Sequence, residues 1–178
     1  MSLARAGFTA PSVGAKGLSS MSPPITLRHG VDLVHNPRIA HLLHRHGDRF
    51  IERCFTERER GWSIEGLDPA LLRVLLTDAE PPEDLSLRDS RRLQRAVERF
   101  AARFAAKEAA LKAIGTGWRD GIAWTDVEVT RQPSGEPGLR LDGQAEVIAR
   151  SLGTDAWSVS LSHAGAYSIA SVIGWRAC

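Results

Sequence analysis

Hydrophobic residues recur with helical spacing in the middle of the chain. Between Ser90 and Ile114 the sequence is rich in Ala, Leu, Glu, Lys and Arg, which are strong helix formers. At about 100° per residue, Phe100, Phe104 and Leu111 fall on one stripe of such a helix. Gly115 stands where a helix would end. The pattern therefore predicts a long amphipathic helix over 90–114.

Strand-like alternation of apolar and polar residues surrounds this helix in the sequence. A first helix is predicted from Pro37 to Gly47 with Asn36 as its cap, and it is expected to continue over 48–55 after a break at Gly47. Thr56 with Glu59 forms a capping box for a second helix. Asp142 is expected to cap a later helix. The predicted strands cover 25–34, 122–130, 139–141, 157–162 and 167–175, and the late helix covers 144–152. This order predicts an α+β fold, a small single domain in which an antiparallel sheet packs against the long helix.

Two segments lie outside this pattern. Residues 1–24 lack a continuous apolar core and are expected to form a flexible tail, so the domain is assigned to 25–178. Residues 62–90 are predicted to be an inserted loop with two helical turns in the apolar run 71–76. Of 23 basic and 21 acidic residues, the segment 61–90 holds two and seven, so the rest of the chain carries a net charge of +7. A basic body favours an acidic partner or a phosphate-rich ligand.

The long helix also concentrates charge. Arg99, Arg103 and Lys107 recur at i, i+4 and i+8, where like charges repel unless an anion compensates them. Glu108 and Asp32, which lies in the first predicted strand, are candidates for a shared Mg²⁺, because that ion binds one or two carboxylates and leaves the other positions to water and phosphate. The alternative is that Glu108 pairs with Lys112 and Asp32 binds nearby backbone.

Several short motifs are weaker signals. Gly115-Thr116-Gly117 is a helix stop or a phosphate-binding turn, and His163 at a strand end is structural or an anion contact. The histidines at 41, 44 and 46 lack the partners of a zinc site. The sequence has no Gly-x-Ser-x-Gly motif, Walker loop or Rossmann glycine pattern. An enzyme of this sequence would therefore take its nucleophile from a substrate.

Taken together, the blocks GVDLV at 30–34, RFAAKEAALKAIGTG at 103–117, IAWTDVEV at 122–129 and SLSH at 160–163 resemble the holo-[acyl-carrier-protein] synthase family of 4′-phosphopantetheinyl transferases. The resemblance implies transfer of 4′-phosphopantetheine from coenzyme A to a serine of an apo acyl carrier protein, with Mg²⁺. Adenosine 3′,5′-bisphosphate would leave. It also implies a homotrimer whose active sites lie between neighbouring subunits.

The resemblance implies a role for individual residues. Asp32 and Glu108 are similar to the family's metal ligands, and with Lys112 they form the implied catalytic group. Implied coenzyme A contacts are Arg95, Arg103, Lys107, Lys112, Gly115, Thr116, Gly117, Ser160 and His163. Carrier-protein docking is implied for Arg38, Arg45, Arg49, Arg53 and Phe104. The 62–90 insertion, the tail and Ala102, which replaces a common glycine, depart from the family pattern.

Two other functions remain open from the sequence. A non-catalytic module that binds acidic carrier proteins would need only the arginines from 38 to 53. A nucleic-acid binder is indicated by basic charge alone, without interleaved aromatic residues, and is disfavoured. No apolar stretch reaches the length of a membrane helix, and two cysteines without a framework favour the cytoplasm. The resemblance fits fatty acid or polyketide carriers without choosing between them.

Overall fold

The computed structural model describes residues 26–77, 84–119 and 121–177. The predicted tail at 1–24 and part of the predicted insertion, 78–83, lie outside the described residues. The described elements, in chain order, are β1 (Arg28–His35), α1 (Asn36–Cys54), α2 (Glu57–Ile64), α3 (Pro69–Leu76), α4 (Leu87–Ile114), a 3₁₀ turn (Trp124–Asp126), β2 (Val127–Arg131), β3 (Pro137–Leu141), α5 (Gly143–Ser151), β4 (Ala156–Ala164) and β5 (Tyr167–Trp175).

The strands form two antiparallel groups. The larger sheet has the order β1-β5-β4, with Asp32 opposite Ala170 and His163 opposite Ser168, and β2 pairs with β3 in a separate hairpin. Helix α4 packs along β1 and β5. The α+β class and the antiparallel sheet against a long helix are therefore confirmed.

Close packing between α4 and β1 depends on small residues. Ala105 and Ala109 of α4 are fully buried, and a Cβ added to Gly30 of β1 would lie 2.0 Å from the carbonyl oxygen of Ala109. Only glycine allows the strand to come this near to the helix. This contact fixes where the second half of β1 lies relative to the last turns of α4.

The first helix bends where the sequence predicted a break. Gly47 has φ 50° and ψ −132° inside α1, and the helix continues beyond it to Cys54. The predicted cap is wrong: His35 is the N-cap residue and makes no side-chain cap. Asn36 is buried instead, and its Oδ1 accepts a hydrogen bond from Ser168 Oγ at 2.8 Å. A buried amide finds its partner across the sheet, so it is not free to cap.

Other local predictions have mixed outcomes. The Thr56–Glu59 capping box is present, and the two predicted helical turns are α3. Asp142 is the N-cap residue of α5 but makes no cap, because its carboxylate accepts from Arg140. Asp126 Oδ2 accepts the Gln144 N–H instead, at 3.1 Å. Within the described residues, no helix combines the length and apolar character required to cross a membrane.

Candidate active site

Lys112 and Asp32 form an ion pair where α4 meets β1. Lys112 Nζ lies 2.7 Å from Asp32 Oδ1 and donates to the Val31 carbonyl at 3.1 Å. The Lys112 side chain is 52% exposed and that of Asp32 is 16% exposed, so the pair is open to solvent on one side. The structure therefore joins a strand residue to a helix residue 80 positions later, at the point fixed by Gly30.

Glu108 lies one helical turn before Lys112 and has a different partner from the one its spacing predicts. Its Oε1 accepts a hydrogen bond from Trp118 Nε1 at 2.8 Å, whereas Lys112 is engaged by Asp32. The alternative pairing of Glu108 with Lys112 is therefore wrong. Residues four apart on a helix are neighbours on its surface, so Glu108 lies beside Lys112. We call the group formed by Asp32, Glu108 and Lys112 the corner.

The corner has the chemistry that a hard divalent cation requires. It supplies two carboxylates, both accessible, and Mg²⁺ is held in proteins by one or two carboxylates with water and phosphate oxygens. Within the described ranges, no group of three or more His, Cys, Asp or Glu residues is placed so that it could hold a metal. The histidines at 41, 44 and 46 therefore do not form such a group. A site completed by substrate phosphates is the kind that fits these residues.

The turn after α4 brings further polar groups to this end of the helix. Gly115 and Gly117 have φ of 79° and 62°, a conformation that residues with a Cβ rarely adopt, and they turn the chain back over α4. The Thr116 hydroxyl between them is buried, and the described residues offer it no hydrogen-bond partner. The contact of Thr116 with phosphate stays a prediction.

Lys107 differs sharply from its neighbour Glu108. Its side chain is fully buried, pairs with Glu59 at 2.8 Å, and donates to the carbonyls of Trp124 and Val127. Burial lowers the pKa of Lys107, and the Glu59 charge opposes that shift. The predicted basic row on the helix surface is therefore wrong at Lys107. Its implied contact with coenzyme A stays a prediction, and the Lys107 amine has no exposed surface with which to make it.

A basic cleft of about 670 Å³ lies beside the first half of α4. Its wall includes three of the residues predicted to contact coenzyme A: Arg95, Arg103 and His163. Arg99, from the basic row predicted on α4, also lines it, and sequence reasoning did not select two further arginines, Arg91 and Arg131. Two acids, Glu65 and Glu98, leave the cleft with an excess of positive charge. We refer to it as the arginine cleft.

Contacts inside the arginine cleft hold several of its groups in place. Arg99 donates to the carbonyls of Trp62 and Glu65, and Arg103 donates to the carbonyl of Arg99. Burial lowers the pKa of Arg103, its Arg neighbours lower it further, and Glu59 opposes them. Within the described residues, the buried Arg103 Nε has no hydrogen-bond partner. The guanidinium lines the cleft, where such a group can make charge-assisted hydrogen bonds to an anion.

Ser160 does not share the cleft with His163. Alternate residues of a strand point to opposite faces, and Leu161 and His163 line the cleft, so Ser160 lies on the other face of β4.

Phe104 was predicted to contact the carrier protein, and its ring is buried in this structure. It is 8% exposed and packs between the rings of Phe50 and Trp124. The arginines at 38, 45, 49 and 53 are all exposed on α1.

The corner and the arginine cleft lie on different sides of α4. Arg103 and Glu108 are five residues apart, which places them about 140° apart around the helix axis. Arg103 and Lys112 are nine residues apart and almost opposite. None of the corner residues lines the cleft. One chain therefore presents two separate groups of charged residues, one suited to reacting phosphates and one suited to holding an anion.

These features define a small α+β protein with a carboxylate–lysine corner and an anion cleft, and comparison with known proteins identifies the class. A sequence model of the 4′-phosphopantetheinyl transferase superfamily matches residues 28–171. The chain belongs to this superfamily, within its holo-[acyl-carrier-protein] synthase family, as the sequence resemblance predicted. It is accordingly an enzyme, a phosphopantetheinyl transferase.

The relatives are similar over nearly their whole length. The holo-[acyl-carrier-protein] synthase of Koribacter versatilis is 43% identical over 144 residues, covering 81% of this chain and 94% of the relative. That of Gloeobacter violaceus is 39% identical over 150 residues, covering 83% and 93%. The Bacillus anthracis synthase, solved in complex with CoA (3′,5′-ADP), aligns with a TM-score of 0.58 at 27% identity, covering 86% of this chain and all of that one.

Proposed function

We propose that this enzyme transfers the 4′-phosphopantetheine group of coenzyme A to a serine of an apo acyl carrier protein, in a reaction that depends on Mg²⁺ and gives the holo carrier. Adenosine 3′,5′-bisphosphate is the second product. The observation that carries the proposal is the corner, where the Asp32–Lys112 pair of 2.7 Å lies beside Glu108 at the end of α4. Names of relatives and the coenzyme A complex of a homologue support the same substrates.

Asp32 and Glu108 are the residues that would hold Mg²⁺. Bound there, the ion would neutralise part of the negative charge on the pyrophosphate of coenzyme A. Lys112 adds a fixed positive charge at the same place, and Asp32 holds its amine in position. The turn at Gly115–Gly117 lies at the same end of α4, and we assign its Thr116 hydroxyl to a phosphate oxygen.

The bond changes need no nucleophile from this chain. The oxygen of the carrier serine forms a bond to the β-phosphorus of coenzyme A, and the hydroxyl proton passes to a water molecule. The bond from that phosphorus to the bridging oxygen breaks, and the electron pair leaves with adenosine 3′,5′-bisphosphate. Lys112 stabilises the charge that develops on these oxygens, so catalysis rests on positioning and electrostatics. This agrees with a sequence that lacks the usual nucleophile motifs.

The arginine cleft supports binding of the bisphosphate half of coenzyme A. Arg95, Arg103 and His163 belong to it, and Arg131 extends it onto the β2–β3 hairpin. Guanidinium groups bind phosphate through paired, charge-assisted hydrogen bonds. Because this cleft faces away from the corner of its own chain, we assign it to the ligand whose reacting phosphates lie at the corner of a neighbouring copy.

This arrangement requires an assembly, and we propose the homotrimer that the family resemblance implies. The outer face of β1 and β5 is apolar but exposed, with Leu33 59% and Ile169 39% accessible at paired positions. Val31 and Ile173 extend the same face. An apolar sheet face that is open in one chain is an expected contact between copies. A solution mass of three chains supports this assembly, and a single-chain mass in the active enzyme contradicts it.

Docking of the carrier is assigned to the exposed arginines of α1. Arg38, Arg45, Arg49 and Arg53 present a basic surface, and acyl carrier proteins are acidic. The kink at Gly47 separates Arg45 from Arg49, so the four charges do not form one regular helical row. The cytoplasm remains the expected location of the enzyme, and fatty acid synthesis is the expected use of its product.

Mass spectrometry of the carrier tests the reaction directly. The enzyme is incubated with coenzyme A, Mg²⁺ and an apo carrier, and the expected result is a phosphopantetheine adduct on the carrier serine together with free adenosine 3′,5′-bisphosphate. Chelation of Mg²⁺ and Glu108→Gln should both abolish the adduct. Glu146→Gln is the matched control, since Glu146 lies on α5 and pairs with Arg150. Formation of the adduct without divalent ions, or at full rate in Glu108→Gln, would refute the site assignment.

A further inference from the structure

Trp118 connects the loop after α4 to Glu108. The two left-handed glycines at 115 and 117 turn the chain back, and the Trp118 indole N–H then reaches Glu108 Oε1 at 2.8 Å. The two residues are ten positions apart in the sequence. The hydrogen bond is made to a carboxylate, which makes it stronger than a bond between neutral groups. Gly115-Thr116-Gly117 therefore does more than end a helix, because it aims this indole.

The indole of Trp118 is held by the interior of the protein. Its ring stacks on Trp124, with the ring centroids 3.4 Å apart and the planes at 27°. Trp124 packs on the buried Phe104 ring, and its carbonyl oxygen accepts from Lys107. Trp118 is thus fixed through Trp124 to the buried Lys107–Glu59 pair. A loop residue supported in this way keeps its orientation better than an unsupported loop side chain.

The bond leaves the second carboxylate oxygen of Glu108 available. Among the contacts of the described residues, Glu108 has one hydrogen bond, through Oε1, and no ion pair. A glutamate side chain has several rotatable bonds and loses entropy when a ligand fixes it. Holding Oε1 in advance restricts the side chain while Oε2 stays free for a ligand, which lowers that entropy loss on binding.

We propose that Trp118 is a positioning residue, whose indole N–H fixes Glu108 for binding a divalent cation. The inference rests on the proposed function, since it assumes that Glu108 is a cation ligand in the presence of coenzyme A. Residues that orient metal ligands commonly change metal affinity by about 10- to 100-fold when they are removed. Because the corner is open to solvent, we expect the lower end of that range.

The test measures cation binding, not turnover. Mn²⁺ replaces Mg²⁺ as the probe, coenzyme A is present, no carrier is added, and free Mn²⁺ is measured by electron paramagnetic resonance. Trp118→Phe removes the N–H and keeps a ring to stack on Trp124. Benzothienylalanine at position 118, which replaces the N–H by sulfur and preserves the ring shape, serves if the phenylalanine variant folds poorly. Trp157→Phe is the matched control, because Trp157 lies in β4 against Gly174.

The expected result is a Kd for Mn²⁺ about tenfold higher in Trp118→Phe and in the benzothienylalanine protein, with no change in Trp157→Phe. Tryptophan fluorescence should respond to Mg²⁺ in the native protein and in Trp157→Phe, and this response should be lost in Trp118→Phe. Wild-type affinity in both position-118 proteins, with binding lost in Glu108→Gln, would overturn the positioning role alone. Wild-type affinity in Glu108→Gln would overturn the proposed cation site and the inference with it.

Discussion

The corner and the arginine cleft lie on opposite sides of one helix and contain different kinds of charge. The corner is small and mixes two carboxylates with one lysine, and its tightest contact is the 2.7 Å pair of Asp32 and Lys112. The cleft is wide, at about 670 Å³, and is dominated by arginine. Mixed charge at close range suits a reacting pyrophosphate, whereas spaced guanidinium groups suit an anion that is only held. The difference indicates that α4 carries two half-sites with separate tasks.

A third region of α4 shows what charge does when it serves the fold. Lys107 is enclosed with Glu59, whose carboxylate also accepts the N–H groups of Thr56 and Val129. The described partners of this pair are backbone groups of the protein at buried or partly buried positions. The adjacent residues Lys107 and Glu108 thus serve different purposes, one the stability of the fold and the other the proposed site. One variant in each of the three regions of α4 tests this distinction.

The largest effect is expected at the corner. Lys112→Met should lower kcat for holo-carrier formation by at least about 100-fold, because the fixed charge facing the reacting phosphates is removed. Lys112 is half exposed and Asp32 is 16% exposed, so the free energy of unfolding should fall by about 1 kcal/mol, less than for a fully buried pair. Stopped reactions at saturating coenzyme A, analysed by mass spectrometry, measure kcat, and urea unfolding measures stability. A kcat within threefold of the native value would show that the corner is not the reacting centre.

Substitution of the buried Lys107 should instead have its main effect on stability. Lys107→Met leaves the Glu59 carboxylate buried without its cation, which is expected to lower the free energy of unfolding by about 3 kcal/mol. Urea unfolding at equal protein concentration measures the change. Alkylation of Cys54 is a second measure, because burial raises the pKa of this thiol to about 11 and keeps it unreactive in the folded protein. Faster labelling of Cys54 in Lys107→Met than in Lys112→Met is expected, and equal stability of the two variants would contradict the distinction.

A smaller effect is expected in the cleft. Arg95→Gln should raise KM for coenzyme A by about tenfold with little change in kcat, since one charge-assisted hydrogen bond to the held half of the ligand is lost. Arg131→Gln should act in the same direction. Arg150→Gln is the control, because Arg150 is exposed on α5 and pairs with Glu146. A fall in kcat without a change in KM would move the cleft arginines to the reacting centre.

The sequence predicts most of the elements because their signals are local. The helical stripe of Phe100, Phe104 and Leu111 requires no knowledge of the rest of the chain, and neither do the break at Gly47 and the Thr56–Glu59 capping box. The caps at Asn36 and Asp142 failed for a physical reason. Each side chain found a stronger partner elsewhere, and sequence spacing does not show such competition.

Site prediction had the same limit. Spacing placed Lys107 on a solvated edge, but burial depends on Glu59 and on carbonyls 17 and 20 residues away. Arg131 and Trp118 were missed because each reaches the site from a loop or hairpin edge with no pattern of its own. The turn glycines at 115 and 117 were the one available signal for Trp118, since a chain that reverses after a helix returns along it.

Subunit complementation tests most directly whether the corner of one copy works with the arginine cleft of another. Glu108→Gln breaks only the corner, and the double variant Arg95→Gln/His163→Ala breaks only the cleft. The two are co-expressed with different tags and isolated as mixed assemblies. In a trimer that contains both variants, one of the three interfaces joins an intact corner to an intact cleft, so the mixed assemblies should have about a third of the native activity. Mixed assemblies no more active than the two variants measured separately would place both half-sites within one chain and contradict the account.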